Sequence, residues 1–210
     1  MIPAKADPEQ QARFLAEELE PRLEEAKCGK RAVYFVDAAH FVLSAFLGYL
    51  WSSTIIFIKA PSGRQRFNVL GAINAINHEL ITVTNNAYIN AQSVCELLQK
   101  IGSLNLETPI TLVLDNARYQ KCELVRTIAN NLKIELLFLP AYSPNLNLIE
   151  RLWKFVKKNC LYSKYYSDFV SFKTAIENCL SQTHTQHKES LDSLLSLNFQ
   201  TFIKKQFVAA

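Results

Sequence analysis

Ile110-Thr-Leu-Val-Leu-Asp-Asn-Ala-Arg118 starts with five apolar or β-branched residues and turns acidic at Asp115. A short, continuously apolar run of this kind reads as a strand covered on both faces, and the charge marks where burial stops. The same pattern lies upstream in Ala32-Val-Tyr-Phe-Val36, which stops at Asp37. Downstream of Asp115, residues Leu124, Val125, Ile128, Ala129 and Leu132 recur at helical spacing, and residues 134–139 are again apolar and β-rich. Strand, helix and strand joined by short links predict a right-handed parallel crossover. Between the two acid-terminated strands, residues 67–75 and 79–84 read as an antiparallel meander turning near Asn77-His78, preceded by a basic loop over 59–66. Val94, Leu97, Leu98 and Ile101 then mark one face of a helix. The class is α/β, with a mixed sheet flanked by helices.

The remaining segments are helical in pattern. Pro140 closes the last strand, Ser143-Pro144 supplies an N-cap and first-turn pair, and a helix is predicted over 145–160. Further helices are expected at 169–182 and 191–206. Residues 9–27 carry Ala12, Leu15, Leu19, Leu23 and Ala26 at helical spacing among glutamates, with Pro21 expected to kink or break the helix. The division expected is an acidic helical arm over 1–30, the α/β domain over 31–183 and a helical extension over 184–210.

Composition narrows the function classes. The 210 residues are 49% hydrophobic and 20% charged, enough for one ordinary domain with short flanks. Five glycines and seven prolines exclude collagen-like and low-complexity chains. No apolar run approaches the roughly 20 residues of a membrane span, and the first residues lack a secretory pattern, so the expected location is the cytoplasm. The five cysteines are widely spaced without a C-x-x-C pair, which suits reduced thiols better than a zinc site or a disulfide framework. Residues 1–30 hold seven acids and five bases, leaving twelve acids and eighteen bases for the rest, a moderately basic body suited to a polyanionic partner.

Asp37 and Asp115, each closing a buried strand, are the first candidate site residues, because open α/β sheets gather their ligands at strand ends. Glu150 is the third. At roughly 100° per residue, setting Glu150 at 0° puts Ile149, Leu152, Phe155 and Val156 on an apolar arc, with Trp153 at its seam. Asn147, Arg151, Lys154, Lys157 and Lys158 share the side of Glu150. On that helix Glu150 is placed two turns from the start, beyond capping range, with an i,i+4 pair to Lys154 as its structural alternative. The four cations read as a track for a phosphate backbone. Three carboxylates beside cations suit Mg²⁺, a hard cation that takes oxygen ligands and keeps several waters. A pair of such ions serves in-line phosphoryl displacement. Asn116, Asn147 and His40 are candidates for supporting the carboxylates or touching DNA. His184-x-x-His187 has no third ligand within reach, and Tyr162, Tyr165 and Tyr166 read either as DNA contacts or as a rim of the core.

Asp37-Ala-Ala-His-Phe41, Gly63-Arg-Gln-Arg-Phe-Asn-Val-Leu-Gly71, Asp115-Asn-Ala-Arg118, Leu139-Pro-Ala-Tyr-Ser-Pro144 and Asn147-Leu-Ile-Glu-Arg-Leu-Trp153 together resemble the DDE transposases of the mariner superfamily. The likeness is strongest to the bacterial insertion-sequence branch, with 34 residues between Asp115 and Glu150. It implies a ribonuclease-H-like fold with a mixed five-stranded sheet. It implies a site of Asp37, Asp115 and Glu150 holding two Mg²⁺ ions, for which Mn²⁺ substitutes. The activity implied is cut-and-paste cleavage and joining of DNA at transposon ends, into a TA target, by a homodimer in the bacterial cytosol. The alternatives are a non-catalytic transposon-derived DNA-binding or assembly remnant and another nuclease of the same fold. Gln120 stands where the superfamily often has histidine, and Ala141 and Leu148 replace its usual prolines. The helix-turn-helix modules that read transposon ends do not fit in the first 30 residues, so the expectation is a catalytic portion with that module encoded upstream.

Overall fold

The computed structural model describes residues 5–43, 53–55, 57 and 65–201. Its sheet has five strands, β1 (Ala32–Leu43), β2 (Gln65–Asn74), β3 (Leu80–Asn85), β4 (Ile110–Leu114) and β5 (Ile134–Phe138), in the order β3-β2-β1-β4-β5. The meander β1-β2-β3 is antiparallel, while β1-β4 and β4-β5 are parallel. The crossover is made by α3 (Ala91–Gly102) into β4 and by α4 (Glu123–Asn131) into β5. Most of the expected basic loop lies outside the described residues; Gln65 and Arg66 begin β2.

Side-chain alternation along β1 sorts the core into two layers. Phe35, Ala39 and Phe41 face α5 (Ile149–Cys160), α6 (Phe169–Ser181) and α7 (Lys188–Leu194); Tyr34 and Val36 face α3 and α4. β1 does not stop at Asp37 as the sequence suggests. Its parallel pairing with β4 ends at Phe35↔Val113, but Ala39, Phe41 and Leu43 keep alternating into the core, so the strand continues against β2 as far as Leu43↔Gln65.

Three expected helices differ in detail. Pro21 does not break the N-terminal helix: α1 (Pro8–Phe14) passes through a π turn at Leu15–Leu19 into α2 (Glu20–Lys27), and Glu20 donates to the Leu15 carbonyl. Proline offers no N–H and crowds the preceding turn, and the widened ladder accommodates both defects. This segment packs against the sheet's helical layer. Leu19, Leu23 and Ala26 are buried in the layer of α5 and α6, and the Arg22 guanidinium forks onto Glu135 of β5 at 2.5 and 3.1 Å. Arg31 and Thr111 complete the set around Glu135, at 2.9 and 2.6 Å.

The helix predicted over 145–160 is split. Pro144–Leu146 form a 3₁₀ turn, Asn147 is extended, and α5 begins at Ile149. Ser143 caps nothing, since its hydroxyl accepts from the Gln11 amide at 3.0 Å, and the Asn147 amide is drawn into the sheet. Glu150 therefore sits in the first turn of α5, not two turns inside it. At the other end, the helix expected over 191–206 stops at Leu194; Arg151 instead gathers the carbonyls of Leu194, Ser196 and Asn198 at 3.3, 2.6 and 2.7 Å. Residues 202–210 lie outside the described residues.

Candidate active site

Register places the two aspartates. Phe35 pairs with Val113 across the parallel β1-β4 ladder, so two residues further on Asp37 is level with Asp115 on the next strand and faces the same side. α5 packs on that side through Ile149, Leu152 and Trp153, and its first turn brings Glu150 to the same place. Asp37, Asp115, Glu150, Asn116 and Asn147 line one cavity of about 420 Å³, walled by residues 139–144.

The electrostatics follow from that crowding. Burial, then the charge of Glu150 and to a lesser degree that of Asp115, pushes the Asp37 carboxyl up to about 7. Two groups pull the other way, the Ala38 backbone N–H and the Trp153 indole, whose Nε1–H donates to Asp37 Oδ2 at 3.0 Å. Asp115 Oδ1 accepts from the Ala117 N–H at 3.0 Å, an Asx turn that fixes the carboxylate where β4 ends. Tyr119 feels the same field: burial first, then Asp115 and Asp37, raise its hydroxyl to about 12.

Among the described residues, no three His, Cys, Asp or Glu side chains form a ready-made metal cage. Mg²⁺ does not require one, because it keeps waters and is completed by substrate oxygens. The donor set fits it: three hard carboxylates share one cavity, and the shifted Asp37 records repulsion that a dication would relieve.

The other predicted residues separate into groups. Asn147 is buried beside the carboxylates; its Nδ2 donates to the Val36 carbonyl at 3.2 Å, and its Oδ1 has no hydrogen-bond partner among the described residues. Asn116 lines the cavity, but its amide donates to the Leu139 carbonyl and accepts from Lys121. His40 is on the opposite face of β1 from Asp37, where its Nδ1 meets Asn68 Oδ1 at 2.7 Å; the odd spacing of three residues in a strand reverses the face. Arg151 is not a free phosphate contact, since its fork is used on the C-terminal segment and its guanidinium lies 5.7 Å from the Phe199 ring centre. Lys154 and Lys158 are exposed and Lys157 half-buried, and among the described residues no ion pair involves these lysines or Glu150, so the expected Glu150–Lys154 pair is not formed.

Residues outside the site have structural partners. The His184 Nε2 accepts from the Leu80 N–H, His187 meets the Phe155 ring edge-on, and Tyr166 donates to the Cys160 carbonyl. Gln120 is wholly buried and is not among the cavity-lining residues. Sequence reasoning missed the indole bond to Asp37, and it missed Gln11, which holds the wall residue Ser143. Trp153 at the seam of the α5 wheel was the available signal for the first.

A five-stranded sheet ordered β3-β2-β1-β4-β5, with acids at the ends of its parallel runs, is the ribonuclease-H-like fold. The family model described as DDE superfamily endonuclease matches residues 32–173, and the chain belongs to that family. In fold it is similar to the Mos1 transposase paired-end complex with left transposon end, at TM-score 0.60 and 13% identity over 95% of this chain and 66% of that one. The Mos1 strand transfer complex compares at TM-score 0.61 and 14% identity, over 93% and 61%. The uncharacterized protein y4pE/y4sA of Sinorhizobium fredii is 31% identical over 88 residues, 41% of this chain and 63% of the relative. The chain thus spans under two thirds of the length of each of these relatives.

Proposed function

We propose that this chain is the catalytic portion of a DNA transposase, cleaving strands at transposon ends and joining them to target DNA with two Mg²⁺ ions, or Mn²⁺ in their place. The observation that carries this reading is the convergence of Asp37, Asp115 and Glu150, from two strands and a helix, on one cavity. Asp37, Asp115 and Glu150 are the residues that hold the ions. When bound, the ions supply a nucleophile at neutral pH and stabilise charge on the attacking and leaving oxygens.

The chain's own residues do the rest. The sheet register fixes the two aspartates side by side, and Asn147 ties the start of α5 to β1, so Glu150 is set against a rigid frame. Lys154, Lys157 and Lys158 follow Glu150 along α5 and offer charge to a DNA backbone leading into the cavity. No helix among the described residues is long and apolar enough to cross a membrane. A homodimer on DNA in the bacterial cytosol, a TA target and an upstream helix-turn-helix portion belong to the same proposal, as does the division at residues 30 and 183. Its fold-level support is the likeness to the Mos1 complexes, a paired-end complex with Mg among them.

The test is a nicking and strand-transfer assay on duplexes carrying the element's ends, with Mg²⁺, Mn²⁺ or chelator, using the full-length protein that the element encodes. Cleavage dependent on the metal and on each of the three carboxylates supports the reading. A correctly folded protein that binds the ends but never nicks them, with either metal, would leave the non-catalytic remnant. Preferential cutting of an RNA–DNA hybrid would point to another nuclease of this fold.

A further inference from the structure

We infer that Trp153 and Gly71 form a device that positions the Asp37 carboxylate; the inference rests on Asp37 being a metal ligand as proposed above. Gly71 on β2 is the cross-strand partner of Asp37 on β1. A Cβ built on Gly71 would lie 2.8 Å from Trp153 Cη2 and 3.0 Å from both Trp153 Cζ2 and Ile149 Cδ1. Real side chains do not tolerate the first of these distances. The missing side chain opposite Asp37 is thus the space that the indole's six-membered ring occupies. Phe41, four residues on along the same face of β1, also packs on the indole, its ring at 80° to it and 6.3 Å between centroids. So enclosed, Trp153 is 2% exposed, and its one polar atom is aimed at Asp37 Oδ2, 3.0 Å away.

An indole N–H is a donor only. It neither ligates a metal nor takes a proton, so its bond to Oδ2 acts on the carboxylate's orientation. The ring is wedged between β2 and Phe41, hence the hydrogen bond fixes the plane of the Asp37 carboxylate relative to the sheet. Trp153 also lies one helical turn beyond Glu150 on α5, so a single helix carries one acid and sets the attitude of another. Outer partners that orient a metal ligand typically govern metal affinity or activity by 10- to 100-fold.

The test compares Mn²⁺ binding by calorimetry and nicking kinetics in four proteins: wild type, Trp153→Phe, Gly71→Ala and Asp37→Asn. Phenylalanine keeps an aromatic ring in the layer but has no N–H; alanine at 71 keeps the N–H but displaces the ring. Both are expected to weaken Mn²⁺ binding roughly tenfold or more and to lower kcat with KM for DNA unchanged. Far- and near-ultraviolet dichroism and melting identify any variant that fails to fold, and 3-benzothienylalanine at 153, which keeps the indole outline with sulfur in place of N–H, then replaces it. Wild-type Mn²⁺ binding and kcat in the folded variant lacking the N–H, with binding lost in Asp37→Asn, would overturn the positioning role and leave the site reading standing. Unchanged Mn²⁺ binding in Asp37→Asn would overturn the site reading itself, and this inference with it.

Discussion

Asn147 donates its side-chain amide to the carbonyl of Val36 at 3.2 Å, so the residue three before Glu150 is fastened to the residue just before Asp37. That bond interrupts the helix predicted from Pro144 onward and lets α5 begin at Ile149. Asn147 Oδ1 is left buried and unpaired at the cavity edge. Replacement by leucine removes one buried hydrogen bond and one unsatisfied oxygen, effects of about 1 and 1–3 kcal/mol that oppose each other. Asn147→Leu is therefore expected to melt close to wild type while cleaving at least tenfold more slowly, because the start of α5 is no longer tethered. A large loss of stability with normal activity in the folded fraction would show the bond to be purely structural.

The crowding of carboxylates predicts an unusual pH profile for the metal-free protein. Asp37 rises to about 7 when folded, mainly by burial and the Glu150 charge, against about 3.9 in an unfolded chain. Its contribution to stability is full below the unfolded value and is lost as pH climbs from about 4 to about 7, on the order of 3–4 kcal/mol at most. Glu135 works in the opposite sense. Its hydrogen bond from Arg22, followed by those from Thr111 and the charge of Arg31, lowers its pKa, so its contribution fades as pH falls below about 4.3. In chelator, the melting temperature should peak near about pH 4 and decline toward about pH 7; with Mg²⁺ the decline should flatten. A melting temperature rising steadily from pH 5 to 8 in chelator would show that burial and the Glu150 charge do not raise Asp37 in the folded chain.

How far the chain can be read without coordinates is clear from where readings succeed. Asp115 and Asp37 were legible because apolar runs end at them, and the crossover between 115 and 150 fixed their sheet. The continuation of β1 past Asp37 was hidden, since the run from Ala38 to Leu43 opens on two alanines and places apolar Val42 between Phe41 and Leu43, which leaves only a weak alternation. The start of α5 was hidden too, because Ser143-Pro144 is a strong local capping signal that Gln11, 132 residues away in sequence, overrides by taking the serine hydroxyl. Long-range polar bonds of this type leave no periodicity to detect.

Arg151 and its neighbouring lysines look alike on a helical wheel, yet the structure separates their roles. Arg151→Ala removes donors to three main-chain carbonyls of residues 194–198 and is expected to cost on the order of 2 kcal/mol, roughly 4–8 °C in melting temperature. Replacing Lys154, Lys157 and Lys158 together with alanine should leave melting almost unchanged. DNA binding should weaken alike for every sequence, and its salt dependence should flatten by up to about 0.9 per lost phosphate contact. Melting and filter-binding titrations on both proteins decide this, and a sequence-specific loss from the lysine variant would contradict it.

Glu150→Gln isolates the chemistry from the fold. Glutamine preserves the length and shape of the side chain but removes the charge that a hard dication draws on. Two effects on stability oppose each other. In the first turn of α5 the carboxylate gains from the helix dipole, about 0.3–1 kcal/mol, which glutamine forfeits. Its charge also raises Asp37, and glutamine relieves that repulsion. No ion pair with Lys154 is lost, since the described residues show none. Melting in chelator should shift by no more than a few degrees. Strand cleavage should fall by at least 10²-fold with Mg²⁺, and the stabilisation that Mg²⁺ gives the wild type should disappear. Nicking assays with Mg²⁺ and Mn²⁺, run beside melts with and without metal, read both halves. Wild-type cleavage by the variant would remove Glu150 from the metal site, whereas a melting temperature lowered by more than about 10 °C in chelator would mark Glu150 as a structural residue of α5.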